Sequence, residues 1–229
     1  RSLLPPDHPI LLQARGNVGA LALLVGDLDR GEQLLRTNLE ASIRARGPDH
    51  PVVATALANL ASIAGERGRL DEAAELFERA LAINERKLGP DHSDLTSALA
   101  SLAQVELQRG DLVRAEALAR RSLALAERSF GVDSHQTSSA HLVLVGIAVE
   151  RHQPGVLAEL DRIARISTAS PLEPTSLAIY QFARARALLD AGDRVEAARL
   201  ARVALAYHAA HSQPWRRTQV SAWLARHRL

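Results

Sequence analysis

Between Asp49 and Leu88 the apolar residues follow two helical rhythms separated by one glycine. Val53, Leu57, Leu60, Ala61 and Ala64 fall on one face of a first helix. Leu70, Ala73, Leu76, Phe77, Ala80, Leu81 and Leu88 fall on one face of a second. Asp49 offers a capping carboxylate, and Pro51 suits a first helical turn, where its missing N–H is not needed. Gly68 lies between the two patterns, where a positive φ ends the first helix, and Gly89 closes the second. The predicted unit is a helix–turn–helix hairpin.

The same layout recurs on both sides. Leu99, Leu102, Ala103, Gly110, Leu112, Ala115, Leu118, Ala119 and Leu123 repeat it downstream. Val18, Gly19, Gly26, Leu28, Gly31, Leu34, Leu35 and Leu39 repeat it upstream. The linker repeats as well: Gly47-Pro48-Asp49-His50 returns 42 residues later as Gly89-Pro90-Asp91-His92. It is preceded by Pro5-Pro6-Asp7-His8 and followed by Gly131-Val132-Asp133, with His135 displaced by one. A fixed period of this size predicts stacked units that bury a continuous core. Small residues mark the close approaches. Gly19, Ala61 and Ala103 are expected within hairpins, and Gly31, Ala73 and Ala115 where one hairpin meets the next.

The second half is less regular. His152 replaces the break glycine of the fourth unit, Pro154-Gly155 follow, and the next helix, about 156–166, is expected to be shorter or shifted. The fifth unit recovers with Leu188, Gly192, Ala197, Ala201, Ala204 and Leu205, two residues out of register. After Pro214 a last helix puts Trp215, Val220, Trp223 and Leu224 on one side, as an end cap requires.

Composition sharpens this picture. Apolar residues make up 47% of the chain but aromatics only 3%, so the interior must be built from Ala, Leu and Val. The absence of cysteine excludes disulfides, thiol catalysis and Cys-based zinc sites, and fits a reducing compartment. The longest uncharged apolar run, from Val18 to Gly26, falls well short of the roughly 20 residues that span a bilayer, and no signal peptide is visible. A cytoplasmic location is expected. Methionine is absent even at the start, which reads as a piece of a longer protein, and the apolar Leu3 and Leu4 before the first unit suggest stacking on missing sequence or self-association. Net charge is only +2, yet Glu196 is the last acid and six arginines follow it: Arg199, Arg202, Arg216, Arg217, Arg226 and Arg228.

Candidate chemistry is sparse. His8, His50 and His92 occupy equivalent positions, but equivalent atoms of stacked units lie on the order of 10 Å apart, too far to share one ion whose ligands sit at about 2 Å. A role in the linker turn is expected. His208, His211 and His227 could meet at one metal, although no carboxylate stands near them in sequence. Glu66, Asp71, Glu72, Glu75, Glu78 and Glu85 alternate with Arg67, Arg69, Arg79 and Arg86 and read as a solvated helix face of i, i+3 and i, i+4 pairs. There is no phosphate-binding loop and no serine on a recognisable elbow. No catalytic residue, cofactor or metal is assigned.

Leu57, Leu60, Ala61, Gly68, Ala73, Phe77 and Ala80 stand at the spacing of the tetratricopeptide repeat, whose unit is about 34 residues. The longer helices and the Gly-Pro-Asp-His-Pro link resemble the 42-residue repeats of kinesin light chain and of many bacterial proteins. The match spans residues 5–130 and weakens beyond. The resemblance implies an all-α fold: one right-handed superhelical solenoid over residues 1–229. Its units are about 5–46, 47–88, 89–130, 131–171 and 172–212, with a capping helix at 214–228.

In such arrays the first helix of each unit lines the concave face. Projecting that pattern selects Gln13, Asn17 and Ala20, then Thr55, Asn59 and Ser62, then Ser97, Ser101 and Gln104, then Ser139 and Gly146, and finally Phe182 and Arg186. Asn17 and Asn59 are equivalent, and the family uses asparagine here to hold a peptide backbone; an amide both donates and accepts. The other reading is that both only cap or brace their hairpins. The groove lacks the Lys and Arg set that would grip a terminal carboxylate.

Three functions follow. The first is a non-enzymatic scaffold or regulatory module that receives a peptide or partner protein in the groove. The second is the repeat tail of a larger bacterial regulator such as a serine/threonine kinase, which the basic ending Ala222-Trp223-Leu224-Ala225-Arg226-His227-Arg228 resembles. The third is nucleic-acid contact through the six arginines, ranked lower because positive charge alone gives weak, salt-sensitive binding.

Overall fold

The computed structural model describes residues 8–132, 134–169, 171–211 and 213–229. Eleven α-helices and no strand occur among these residues: α1 Pro9–Leu24, α2 Leu28–Arg46, α3 Pro51–Glu66, α4 Leu70–Leu88, α5 Leu95–Arg109, α6 Leu112–Phe130, α7 His135–Glu150, α8 Val156–Ala169, α9 Pro174–Asp190, α10 Arg194–Ala210 and α11 Pro214–His227. They pack as successive antiparallel hairpins, each against the next, to give an all-α superhelical array. The Leu3-Leu4 stretch lies outside the described residues.

The helix ends obey the local signals in the sequence. Gly68 (φ +74°), Gly110 (φ +86°) and Gly192 (φ +91°) all take the left-handed conformation at the turn inside a hairpin. His152 does the same with φ 49°, although it carries a side chain. Its Nδ1 lies 2.8 Å from Asp190 Oδ2, one hairpin onward, a partner that offsets the backbone strain. The helix that follows, α8, has 14 residues against 19 in α2, α4 and α6, the shortening expected there.

The linker histidines are turn residues. His8 Nδ1 accepts from the Ile10 N–H at 3.3 Å, His50 from Val52 at 3.2 Å, and His92 from Asp94 at 3.2 Å. The cap of α3 is therefore His50, and the capping role expected of Asp49 is a correction. Asp49 accepts instead from Arg86, and its equivalent Asp91 accepts from Arg128 at 3.2 Å, so the linker aspartate ties each linker to the second helix of its own hairpin. In the third unit Ser93 replaces the proline, and α5 starts only at Leu95 behind Asp94.

Side-chain size sets the close approaches. A Cβ at Gly19 would stand 2.6 Å from Leu35 Cγ of α2, which places Gly19 inside its hairpin as expected. Gly31 belongs to both contacts: its Cβ would meet Ile63 Cδ1 of α3 at 3.1 Å and the Gly19 carbonyl at 3.3 Å. Ala103, Ala115 and Ala119 share one cluster with Val143 and Ile147, so α5, α6 and α7 meet on alanine. The core runs on through α7–α9 around Leu160 and Ile163, and ends where Val220 and Leu224 of α11 cover Phe182, Leu200 and Ala204.

The charged helix face differs in part from expectation. Some pairs stay local as expected, such as Arg69 with Glu72 at 2.9 Å, but several also cross from one hairpin to the next: Arg69 to Glu32 at 2.8 Å, Arg36 to Glu72 at 2.8 Å, Arg109 to Asp71 at 2.8 Å and Arg121 to Glu85 at 2.6 Å. Exposed pairs contribute about 0–1 kcal/mol each. The hydrogen-bonded pairs are 36 or 37 residues apart, somewhat less than the 42-residue period, so each links one hairpin to its neighbour.

Candidate functional site: a channel walled by first helices and by α11

The polar stripe on α3 begins at Thr55 and continues through Asn59 and Ser62 to Glu66, the i, i+4, i+7, i+11 spacing of one helical face. On α5 the same stripe is Ser97, Ser101, Gln104 and Gln108. Because hairpins stack in register, these stripes lie side by side. Ser62, Ser101, Ser139 and Ser176, from α3, α5, α7 and α9, border one cavity of about 230 Å³ together with Glu66, Gln104, Gln108 and Arg216. Gln104, Gln108 and Arg216 also border a second cavity of about 320 Å³, which is completed by Gly146, Glu150, Phe182, Arg186, His208 and Gln219. On the opposite side Thr55, Asn59, Ser62, Asn84, Ser97 and Ser101 border a third, of about 300 Å³. The cavities adjoin through shared wall residues, Gln104, Gln108 and Arg216 between the first two and Ser62 and Ser101 between the first and third, and together they form one channel.

Ten of the thirteen residues projected from the sequence border these cavities: Thr55, Asn59, Ser62, Ser97, Ser101, Gln104, Ser139, Gly146, Phe182 and Arg186. Gln13 and Asn17 stand apart; both are exposed, and Gln13 Nε2 donates to Asn17 Oδ1 at 3.0 Å. The equivalence of Asn17 and Asn59 does not extend to their surroundings. Ser139 borders the channel as projected. Gly146 does too, but its small size also serves packing, since a Cβ there would come within 2.7 Å of Leu107 Cδ2 on α5. Phe182 is largely buried against Trp223, edge to face at 5.5 Å between ring centres, and shows the channel only one edge.

Glu66, Gln108, Asn84, Ser176, Arg216 and Gln219 were not singled out from the sequence. Extending the stripes of α3 and α5 by one turn would have found Glu66 and Gln108. No local pattern points to Arg216 and Gln219, because they reach the channel only through the path of α11.

That path is the main departure from a simple cap. Val220 and Leu224 seal the last hairpin, as expected. The first turn of α11 goes further and crosses to the end of α3. Arg216 Nε donates to Glu66 Oε1 at 3.1 Å, with the two side chains 14% and 15% exposed. Trp215, expected in the cap core, lies over the backbone of Gly68, where a Cβ would collide with its Cδ1. Beside this contact the turn between α1 and α2 faces Ala209, Pro214 and Arg217 across a cleft of about 480 Å³. The array curls until α11 meets α3 of the second hairpin.

Charge inside the channel is balanced. The hydrogen bond from Arg186 holds the Glu150 carboxyl below the usual range against the opposing effect of burial. Burial lowers the pKa of His208, and Arg216 adds to this; the bond to Gln213, Nδ1 to Oε1 at 2.6 Å, acts the other way. His208 thus stands in the wall of the channel. His211 stacks on Tyr207 at 4.0 Å and bonds its carbonyl, while His227 leans on Trp223 at 5.0 Å. No group of three His, Cys, Asp or Glu among the described residues is placed to hold a metal. No described helix is long and apolar enough to cross a membrane.

The family model of the tetratricopeptide repeat matches residues 10–86 and 57–128, and a second model of that repeat matches residues 178–202. No curated protein matches the chain. Among solved structures the chain is similar to BtubC (BKLC) from P. vanneervenii, with 22% identity, a TM-score of 0.63, and 88% of this chain and 81% of that one covered. It is also similar to a putative kinesin light chain of Podosopora anserina with nearly identical TPR-like repeats, at 21% identity and a TM-score of 0.63, covering 88% of this chain and 97% of that one. A single-substitution form of that protein gives a TM-score of 0.64.

Proposed function

The chain belongs to the tetratricopeptide repeat family, and on that premise we propose that it is a non-catalytic binding module whose channel receives an extended or helical segment of a partner protein. One observation carries this reading. Four successive first helices contribute small polar side chains, Ser62, Ser101, Ser139 and Ser176, to a single preformed cavity, with Asn59 and Asn84 beside it. Small uncharged walls leave room for a main chain, and amides can pair with it whatever its side chains. A preformed surface also binds without paying for rearrangement. The basic end is less suited to nucleic acid. Arg199 and Arg216 are engaged by Glu196 and Glu66, and Trp215 and Trp223 are packed against protein instead of presenting faces to bases.

A random-peptide display library panned on the chain tests the proposal. Peptides are expected whose affinity falls about tenfold or more (roughly 1.4 kcal/mol) on Asn59→Ala and on Ser101→Trp, which fills the channel. Melting temperature should stay unchanged in Asn59→Ala. Enriched peptides that bind Ser101→Trp as well as the parent would place binding elsewhere.

A further inference from the structure

We propose that Glu66 and the bare backbone edge at Gly68 form a subsite for an arginine-bearing segment with a neighbouring aromatic, supplied by a partner protein, and that the chain's own Pro214-Trp215-Arg216 turn fills it in this structure. The proposal rests on the reading of the channel as a binding surface and names the chemistry of one end of it.

The repeat leaves Glu66 without a partner of its own. Glu150 occupies the equivalent position two units on and is held by Arg186, 36 residues further along. The same step from Glu66 reaches Leu102. A buried carboxylate with no counter-charge is costly, so a cation has to come from outside the repeat pattern. Here it comes from α11, through a contact spanning 150 residues of sequence.

The fit of that resident cation is incomplete. Arg216 satisfies Oε1 through Nε, while Glu66 Oε2 is buried and has no hydrogen-bond partner. A guanidinium arriving in the fork-to-fork orientation would satisfy both oxygens. It would therefore gain a bond that the tethered arginine does not make.

The aromatic requirement comes from Gly68. A Cβ at Gly110 or Gly192, the matching turns of later hairpins, would meet nothing within 4 Å, whereas one at Gly68 would run into the Trp215 ring. The flat ring thus occupies a place that exists at one turn and is empty at its equivalents. Since Val220 and Leu224 anchor α11 elsewhere, its first turn can leave without unsealing the last hairpin.

The test uses the whole 229-residue chain and a fluorescent synthetic peptide copying residues 213–229. Trp215→Ala with Arg216→Ala vacates the subsite. This double variant is expected to bind the peptide about tenfold or more tightly than the parent does. Glu66→Gln added to it should abolish that gain, as should a peptide carrying Arg216→Glu. No binding by the folded double variant, or binding indifferent to Glu66→Gln, overturns the proposal. Should the double variant fail to fold, the parent decides: excess peptide should accelerate hydrogen exchange in residues 215–219 of its own α11, and unchanged exchange overturns the proposal. Display peptides that still bind in an Asn59-dependent way while the copied peptide fails would leave the channel reading standing and remove only this subsite.

Discussion

Arg216 Nε donates to Glu66 Oε1 at 3.1 Å and joins two helices that are 150 residues apart in sequence. The contact turns the terminal helix from a cap into a wall of the channel, and it sets a testable energy. Hydrogen bonds to charged groups contribute about 1.5–3 kcal/mol. Arg216→Ala and Glu66→Gln should each lower stability within that range in urea denaturation. The double variant should cost clearly less than the sum, because the second change removes an already broken pair. Full additivity would show that the pair does not interact in solution.

Gly68 and Gly110 share a left-handed backbone but not a neighbour. Gly110→Ala should cost about 1–2 kcal/mol from the backbone alone. Gly68→Ala pays that and displaces Trp215 as well. Its tryptophan emission should therefore shift to the red, while that of Gly110→Ala stays at the parent position.

His152 bears the left-handed cost that a glycine avoids, and recovers part of it through Asp190. Thermal melts should rank His152→Gly above His152→Ala by about 1 kcal/mol, since alanine keeps the strain and loses the partner. A ranking with alanine on top would mean that the backbone at this turn is not left-handed.

Stability should fall on mild acidification. Burial lowers the folded-state pKa of His208, and of His141 with help from Arg162, below the ordinary 6.5. The unfolded chain then takes up protons first as pH drops. This contribution is fully present above about pH 6.5 and is lost below it, at up to about 1.4 kcal/mol per pH unit for each group. Denaturation midpoints measured between about pH 7.5 and 5 should decline, and His208→Gln should flatten the slope. An unchanged slope would show that His208 is solvated.

Much of this protein is written locally. The 42-residue period, the glycines at the hairpin turns and the linker histidines act on residues a few positions away, so the sequence alone places the helices, their pairing and the polar stripes Thr55–Asn59–Ser62 and Ser97–Ser101–Gln104. Even the misread details are small shifts, such as the cap passing from Asp49 to His50.

What the tertiary structure decided is everything that depends on curvature. Small rotations between hairpins add up over the array, and only their sum brings Trp215 and Arg216 to Gly68 and Glu66. No periodicity carries that sum. For the same reason, charges that pair along one helix also tie neighbouring hairpins together, Asn17 and Asn59 parted company, and a glutamate in a solvated series became a largely enclosed acid of the channel.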